Sequence, residues 1–191
     1  MPVRHDRQIR LLESLRALPG IRRVFIASGI RYDLILSDRK NGERYLEEIL
    51  RHHISGQLKI APEHVEGEVL NLMGKPGREA LEDFIRMFDR LKQKNALNLF
   101  LTYYFMAAHP GCTQADMANL RAFAEQRLRL LPEQTQIFTP TPATWSTLMY
   151  HTGKDPFSGR DIFVEKNRTA KERQKAAISP PGSGRPKQRR R

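Results

Sequence analysis

The residues of this chain best suited to chemistry lie where apolar, β-prone runs give way to compact polar clusters. Val24-Phe25-Ile26-Ala27 runs into Ser28-Gly29-Ile30-Arg31-Tyr32-Asp33, Leu58-Lys59-Ile60-Ala61 into Pro62-Glu63-His64, and Leu99 to Ala107 into Ala108-His109-Pro110-Gly111-Cys112-Thr113. Arg31 and Lys59 are cations suited to a carboxylate or phosphate, and Ser28 offers a hydroxyl to a sugar. The plain alternative for Arg31 is a surface pair with Asp33, whereas Lys59, inside a short strand, would otherwise face an apolar layer. Glu63-His64 reads as an acid/base pair, as a carboxylate for a ribose diol, or as a cap for the helix starting near Val65, where the helix dipole favours an acid. His109-Pro110-Gly111 forces a sharp turn that could lie along a flat adenine through backbone groups, or simply punctuate a loop. In α/β proteins ligands bind at the carboxyl ends of parallel strands, so three such clusters point to one shared pocket.

The elements that would position these residues follow from periodicity. A helix is predicted from Asp6 to Leu18, striped by Ile9, Leu12, Leu15 and Leu18 and stopped by Pro19-Gly20. A strand, Val24 to Ala27, a polar turn around Ser37 to Gly42, and a helix from Tyr45 to His53 come next. The strand Gln57 to Ala61 leads into a short helical piece, Val65 to Met73, broken by Gly74-Lys75-Pro76-Gly77. The longer helix from Arg78 to Lys94 sets Leu81, Phe84, Ile85, Phe88 and Leu91 on one face, as a layer covering a sheet requires. The almost continuously apolar run Leu97 to Ala107 reads as a central strand buried on both faces. Thr113-x-x-Asp116 resembles a capping box for a helix to about Leu130. Gln134 to Phe138 supplies a further short strand, and Ala143 to His151 a last helix. This alternation is that of βαβ crossovers in a parallel sheet, with too few strands to close a barrel.

A chain of 191 residues with net charge +12 could suggest a basic protein. The charge is local, however: residues 165–191 hold ten Lys and Arg against two acids. That Lys-, Arg-, Ser- and Pro-rich segment is expected to be disordered, because it cannot bury enough apolar area to offset its ordering entropy. Residues 1–164 then form the folded part. The flexible cations offer non-specific, salt-sensitive contact with RNA or another polyanion, or only solubility. One cysteine, Cys112, excludes an internal disulfide and fits a reducing cytoplasm. No apolar run approaches the roughly 18 residues of a membrane span, and the first residues lack the apolar core of a signal peptide. Phosphate-loop, dinucleotide, zinc-protease and paired-cysteine motifs are absent from the sequence. His52-His53, adjacent on a helix, do not converge on one ion.

Four segments taken together resemble the later part of a radical S-adenosylmethionine (radical SAM) barrel, in particular the YgiQ-type family. They are Val24 to Leu34, Gln57 to Gly77, Tyr103-Tyr-Phe-Met-Ala-Ala-His-Pro-Gly, and Phe138-Thr-Pro-Thr-Pro with Met149-Tyr-His-Thr-Gly-Lys-Asp-Pro-Phe-Ser-Gly. The resemblance runs from about Asp6 to Gln174 in family order. It implies an α/β fold of parallel βα units, the C-terminal half of a partial TIM barrel, with S-adenosylmethionine at the carboxyl ends of the strands. By motif position Ser28, Arg31, Lys59 and Glu63 would hold the ribose and aminoacyl parts, and His109, Pro110 and Gly111 would lie beside adenine. A [4Fe-4S] cluster belongs to the full-length family, where a C-x3-C-x2-C loop supplies three thiolates. Here the single cysteine lies on another loop, so the resemblance implies a portion that ligates no cluster and is inactive alone. A half-barrel leaves the first strand with an open edge, which predicts self-association or pairing with a separately encoded N-terminal half.

Overall fold

The computed structural model describes residues 3–27, 29–132 and 134–179. Three strands, β1 (Gln57–Glu63), β2 (Phe100–Ala107) and β3 (Gln134–Ile137), form a parallel sheet in that order. Tyr104 to Ala107 of β2 pair in register with Gln134 to Ile137 of β3. The chain divides into two compact units, Met1–Ala61 with Arg78–Tyr103, and Pro62–Gly77 with Tyr104–Arg191. Among the described residues, no helix is long and apolar enough to cross a membrane.

The first unit holds α1 (Asp6–Ala17), α2 (Tyr32–Ser37), α3 (Gly42–His52) and α5 (Arg78–Lys94); α4 (Gly67–Leu72) belongs to the second. The stripe Leu81, Phe84, Phe88 and Leu91 of α5 is buried, as its spacing requires. The helix α2 has no counterpart in the sequence reading. Its run Tyr32-Asp33-Leu34-Ile35 looks β-prone, but Tyr32 and Ile35, one turn apart, are both buried, and Tyr32 lies 5.7 Å from the Phe84 ring.

The expected strand Val24 to Ala27 is not regular. One parallel bridge joins Ile30 to Ile60, the Ile30 amide donates to the Lys59 carbonyl at 3.2 Å, and the Ile26 amide donates to the His53 carbonyl at 2.9 Å. In the register of that bridge, residues 24–26 fall opposite 54–56, the turn leaving α3, so no partner strand exists there.

Residues of β2 alternate in burial: Leu101, Tyr103, Phe105 and Ala107 are buried, while Phe100, Thr102, Tyr104 and Met106 are less so. The expectation of burial on both faces is therefore corrected. Along β1, Leu58 and Ile60 are buried whereas Gln57 and Lys59 are exposed. Lys59 consequently faces solvent and not an apolar layer.

In the second unit α4 is followed by α6 (Gln114–Phe123), which widens into a π-helical turn over Ala124–Leu128, then by α7 (Trp145–Thr152) and α8 (Arg168–Ile178). The Thr113 hydroxyl accepts from the Asp116 amide and the Asp116 carboxylate accepts from the Thr113 amide, completing the capping box. The helix α8 corrects the disorder expected from residue 165. Gln174 and Ile178, four apart, turn one face of a basic segment inward, where α8 packs against α6 and β3. Residues 180–191, the rest of the expected disordered tail, lie outside the described residues.

Two constraints hold the turn between α2 and α3. The buried Asp38 carboxylate accepts from the amides of His5 at 2.7 Å, Asn41 at 3.0 Å and Lys40 at 3.2 Å, and from the His5 ring at 3.0 Å. Burial pushes its pKa upward, but these donors win and hold it at about 2. A carboxylate whose folded pKa is depressed contributes stability above its unfolded value, lost as pH falls through the folded value. The urea midpoint should therefore drop between about pH 4 and about pH 2, and Asp38→Asn should flatten that slope while lowering stability at neutral pH. Gly42, the first residue of α3, has no room for a side chain, since a Cβ would stand 2.0 Å from the Ile35 carbonyl oxygen. Gly42→Ala should cost more than about 2 kcal/mol in the same measurement.

Candidate functional site

β1 and β2 end alike. Glu63 (φ 67°) and Ala108 (φ 57°) are both left-handed although neither is glycine, and each is followed by a histidine turned inward, His64 and His109. Such a conformation costs about 1–2 kcal/mol per residue and persists where the surroundings over-determine it. Here burial of the two imidazoles does so.

The His64 ring accepts from the Glu66 amide at Nδ1, 3.0 Å away, which leaves the proton on Nε2, facing Cys112 Sγ at 3.6 Å. Gln174 completes this cluster: its Oε1 accepts from the Ala108 amide at 2.8 Å and lies 3.5 Å from the thiol, and its Nε2 donates to the Cys112 carbonyl at 3.2 Å. Burial lowers the His64 pKa to about 4 and raises that of Cys112 to about 12. The pair is thus a neutral imidazole and a protonated thiol, without a nucleophilic thiolate. Sequence reasoning missed this cluster because Gln174 fell in the segment expected to be disordered. The four-residue spacing Ala170, Gln174, Ile178 was the available signal.

His109 donates from Nδ1 to the Pro110 carbonyl and accepts at Nε2 from the Ser146 hydroxyl, both at 2.8 Å. Its pKa is lowered by burial, against the Pro110 hydrogen bond and the Glu63 charge. The backbone of the His109-Pro110-Gly111 turn is largely engaged within the protein: the Cys112 amide donates to the His109 carbonyl, and the Gly111 amide to the Phe163 carbonyl at 2.7 Å. Gly111 (φ 89°) cannot carry a side chain, since a Cβ would meet Leu72 Cδ1 at 2.3 Å.

Glu63 neither pairs with His64 nor caps a helix, because its carboxylate meets Lys75 Nζ at 2.8 Å. Both side chains remain about one-fifth exposed. Lys75, read from sequence only as part of a helix break, is therefore a site residue. Tyr104 joins them: burial and the Glu63 charge raise its pKa, and its hydroxyl donates to Gln136. The second unit thus brings together Glu63, Lys75, Tyr104 and His109, an accessible ion pair beside a neutral imidazole. The partly exposed Glu63 and Lys75 can accept and donate hydrogen bonds to a hydroxyl-bearing ligand, while both ring nitrogens of His109 are already engaged.

The first unit carries Arg31 and Lys59. Arg31 is bound to Asp33 through Nε at 2.8 Å and Nη2 at 2.5 Å, the surface pair that was its plain alternative. Lys59 has no ion pair among the described residues, and Ser28 lies outside them. Among the described residues, no group of three or more His, Cys, Asp or Glu could hold a metal ion.

No family model matches the chain. It is 52% identical over 179 residues to a UPF0313 protein of Fusobacterium nucleatum, covering 94% of this chain and 32% of that protein. A UPF0313 protein of Methanosarcina mazei is 45% identical over 174 residues, 91% of this chain and 27% of that one. One from Clostridium perfringens is 40% identical over 178 residues, 93% and 26% respectively. The chain therefore matches over about nine-tenths of its own length but spans only about a quarter to a third of these curated relatives.

The buried Cys112 thiol should resist an aromatic disulfide reagent at pH 8 in the native protein and react fully, to about one equivalent, once urea unfolds it. Rapid labelling without denaturant would contradict the neutral His64–Cys112 pair.

Proposed function

We propose that this chain is a portion of a UPF0313 protein of the radical SAM type, and that its second unit supplies one wall of an S-adenosylmethionine site. The observation that carries the reading is Glu63, a strained carboxylate at the carboxyl end of a parallel strand, held by Lys75 and close enough to His109 to act on its titration. Strand ends of this kind are where α/β proteins place ligands. A ribose diol needs an acceptor for two hydroxyl hydrogens, and a carboxylate offers two oxygens. In this role Lys75 fixes the orientation of Glu63, while the turn at His109, Pro110 and Gly111 gives the shape of the adjoining wall. In the first unit, Lys59 and Arg31 are carried by the resemblance alone, as cations for a carboxylate or phosphate. Arg31 would first have to release Asp33.

A [4Fe-4S] cluster does not fit the residues present. The only thiol is Cys112, which is buried, protonated and tied to Gln174, whereas a cluster requires several thiolates. No step through a cluster is derived for this chain, and it is expected to be inactive alone. Its expected partner is the preceding part of a longer protein, or a second copy. The exposed apolar residues Leu11, Leu18, Ile21 and Phe25, and the amides of Phe25, Ala27 and Gly29, which have no partner among the described residues, favour such pairing.

Saturation-transfer NMR with S-adenosylmethionine tests the site. Weak binding, at about millimolar affinity, is expected, with contacts to ribose and adenine protons that fall by about tenfold in Glu63→Gln. No transfer at millimolar ligand, or transfer unchanged in Glu63→Gln, would remove the proposal.

A further inference from the structure

The first unit contains a concave site that shares no residue with Glu63, Lys75 and His109. A cavity of about 320 Å³ lies where α1 and α3 end, and it is lined by Arg16, Arg22, Arg23, Arg51, His52 and Phe25 among others. Arg16, Arg51 and His52 stand in the last turns of their helices, where the dipole favours cations. Arg22 and Arg23 belong to no helix, so the dipole does not account for them.

The cavity is short of negative charge. The Glu48 carboxylate lies 3.4 Å from Arg16 and 3.2 Å from the His53 ring, while Arg22, Arg23 and Arg51 have no ion pair among the described residues. The neighbouring Glu47 pairs with Lys94 at 3.1 Å and Asn95 at 2.9 Å, and its charge also acts on Arg51 without forming an ion pair with it. Arg23 lies over the Phe25 ring, 6.0 Å from its centroid. The His52 imidazole registers the resulting field: burial, then the charges of Arg16 and Arg51, lower its pKa despite Glu48.

We propose that this cavity binds the phosphate or diphosphate group of a small ligand, with Arg22, Arg23 and Arg51 as its principal donors. Guanidinium groups present paired N–H donors matched to phosphate oxygens, and several of them around one concavity exceed what a single carboxylate can neutralise. A concave site of this size suits a compact anionic group better than an extended chain.

The test is a titration of the full ¹⁵N-labelled chain with inorganic pyrophosphate at constant ionic strength, read at the amides of residues 22, 23 and 51 and at the His52 ring. Saturable shifts at these positions are expected. The double variant Arg22→Gln/Arg23→Gln should weaken binding by about tenfold or more while leaving the melting temperature in place. Shifts reproduced by sodium chloride alone, a response confined to the basic segment 165–191, or full affinity in the double variant would overturn the proposal. A uridine decamer preferred over pyrophosphate at these residues would overturn the small-ligand assignment.

Discussion

Alternate residues of β1 and β2 are buried while those between them are exposed or half-buried, and much else in this protein follows from that asymmetry. The covered positions, Leu58, Ile60, Leu101, Tyr103, Phe105 and Ala107, form the apolar layer that pays for the ordering of the chain. The intervening positions, Lys59, Phe100, Thr102, Tyr104 and Met106, carry a mixture of charge, hydroxyl and apolar surface. Because the pleat alternates strictly, a one-residue change of register would exchange the two sets, so burial of one face fixes which side chains remain available on the other.

At their carboxyl ends both strands leave the sheet through a left-handed non-glycine residue, and the following histidine is drawn inside. This placement decides the chemistry. Burial favours the uncharged form of an imidazole and of a thiol alike, so His64 and Cys112 meet as neutral hydrogen-bonding groups. The charge that survives near the strand ends is the partly exposed Glu63–Lys75 pair, which water can still reach. Ionic function is thereby separated from the neutral network that supports it.

The basic C-terminal segment shows how one polar side chain can anchor an otherwise solvated helix. Gln174 satisfies the Ala108 amide and the Cys112 carbonyl, two backbone groups whose burial without partners would be costly. Its helix also receives the Arg121 guanidinium on the Ala177 carbonyl at 3.1 Å, near its C-terminal end. Of the cations of α8, Arg168 and Arg173 are exposed and Lys171 and Lys175 half-buried, so net charge and folded structure coexist in one stretch of sequence.

Read alone, the sequence determined the elements whose apolar spacing was strong: α1, α3, α5, the capping box of α6, and the three strands of the sheet. Local periodicity and capping chemistry act over a few residues and need no knowledge of partners. It also located Glu63 and the His109-Pro110-Gly111 turn at strand ends. Tertiary structure alone decided the rest. Residues 24–26 lack a ladder because their register partners fall in a turn, and Lys59 is exposed because no layer covers it. Lys75 became a site residue through an ion pair reaching back to Glu63, and Gln174 through contacts made more than sixty positions away. Register, coverage and long-range pairing are properties of what a residue meets, and a linear pattern records only what each residue is.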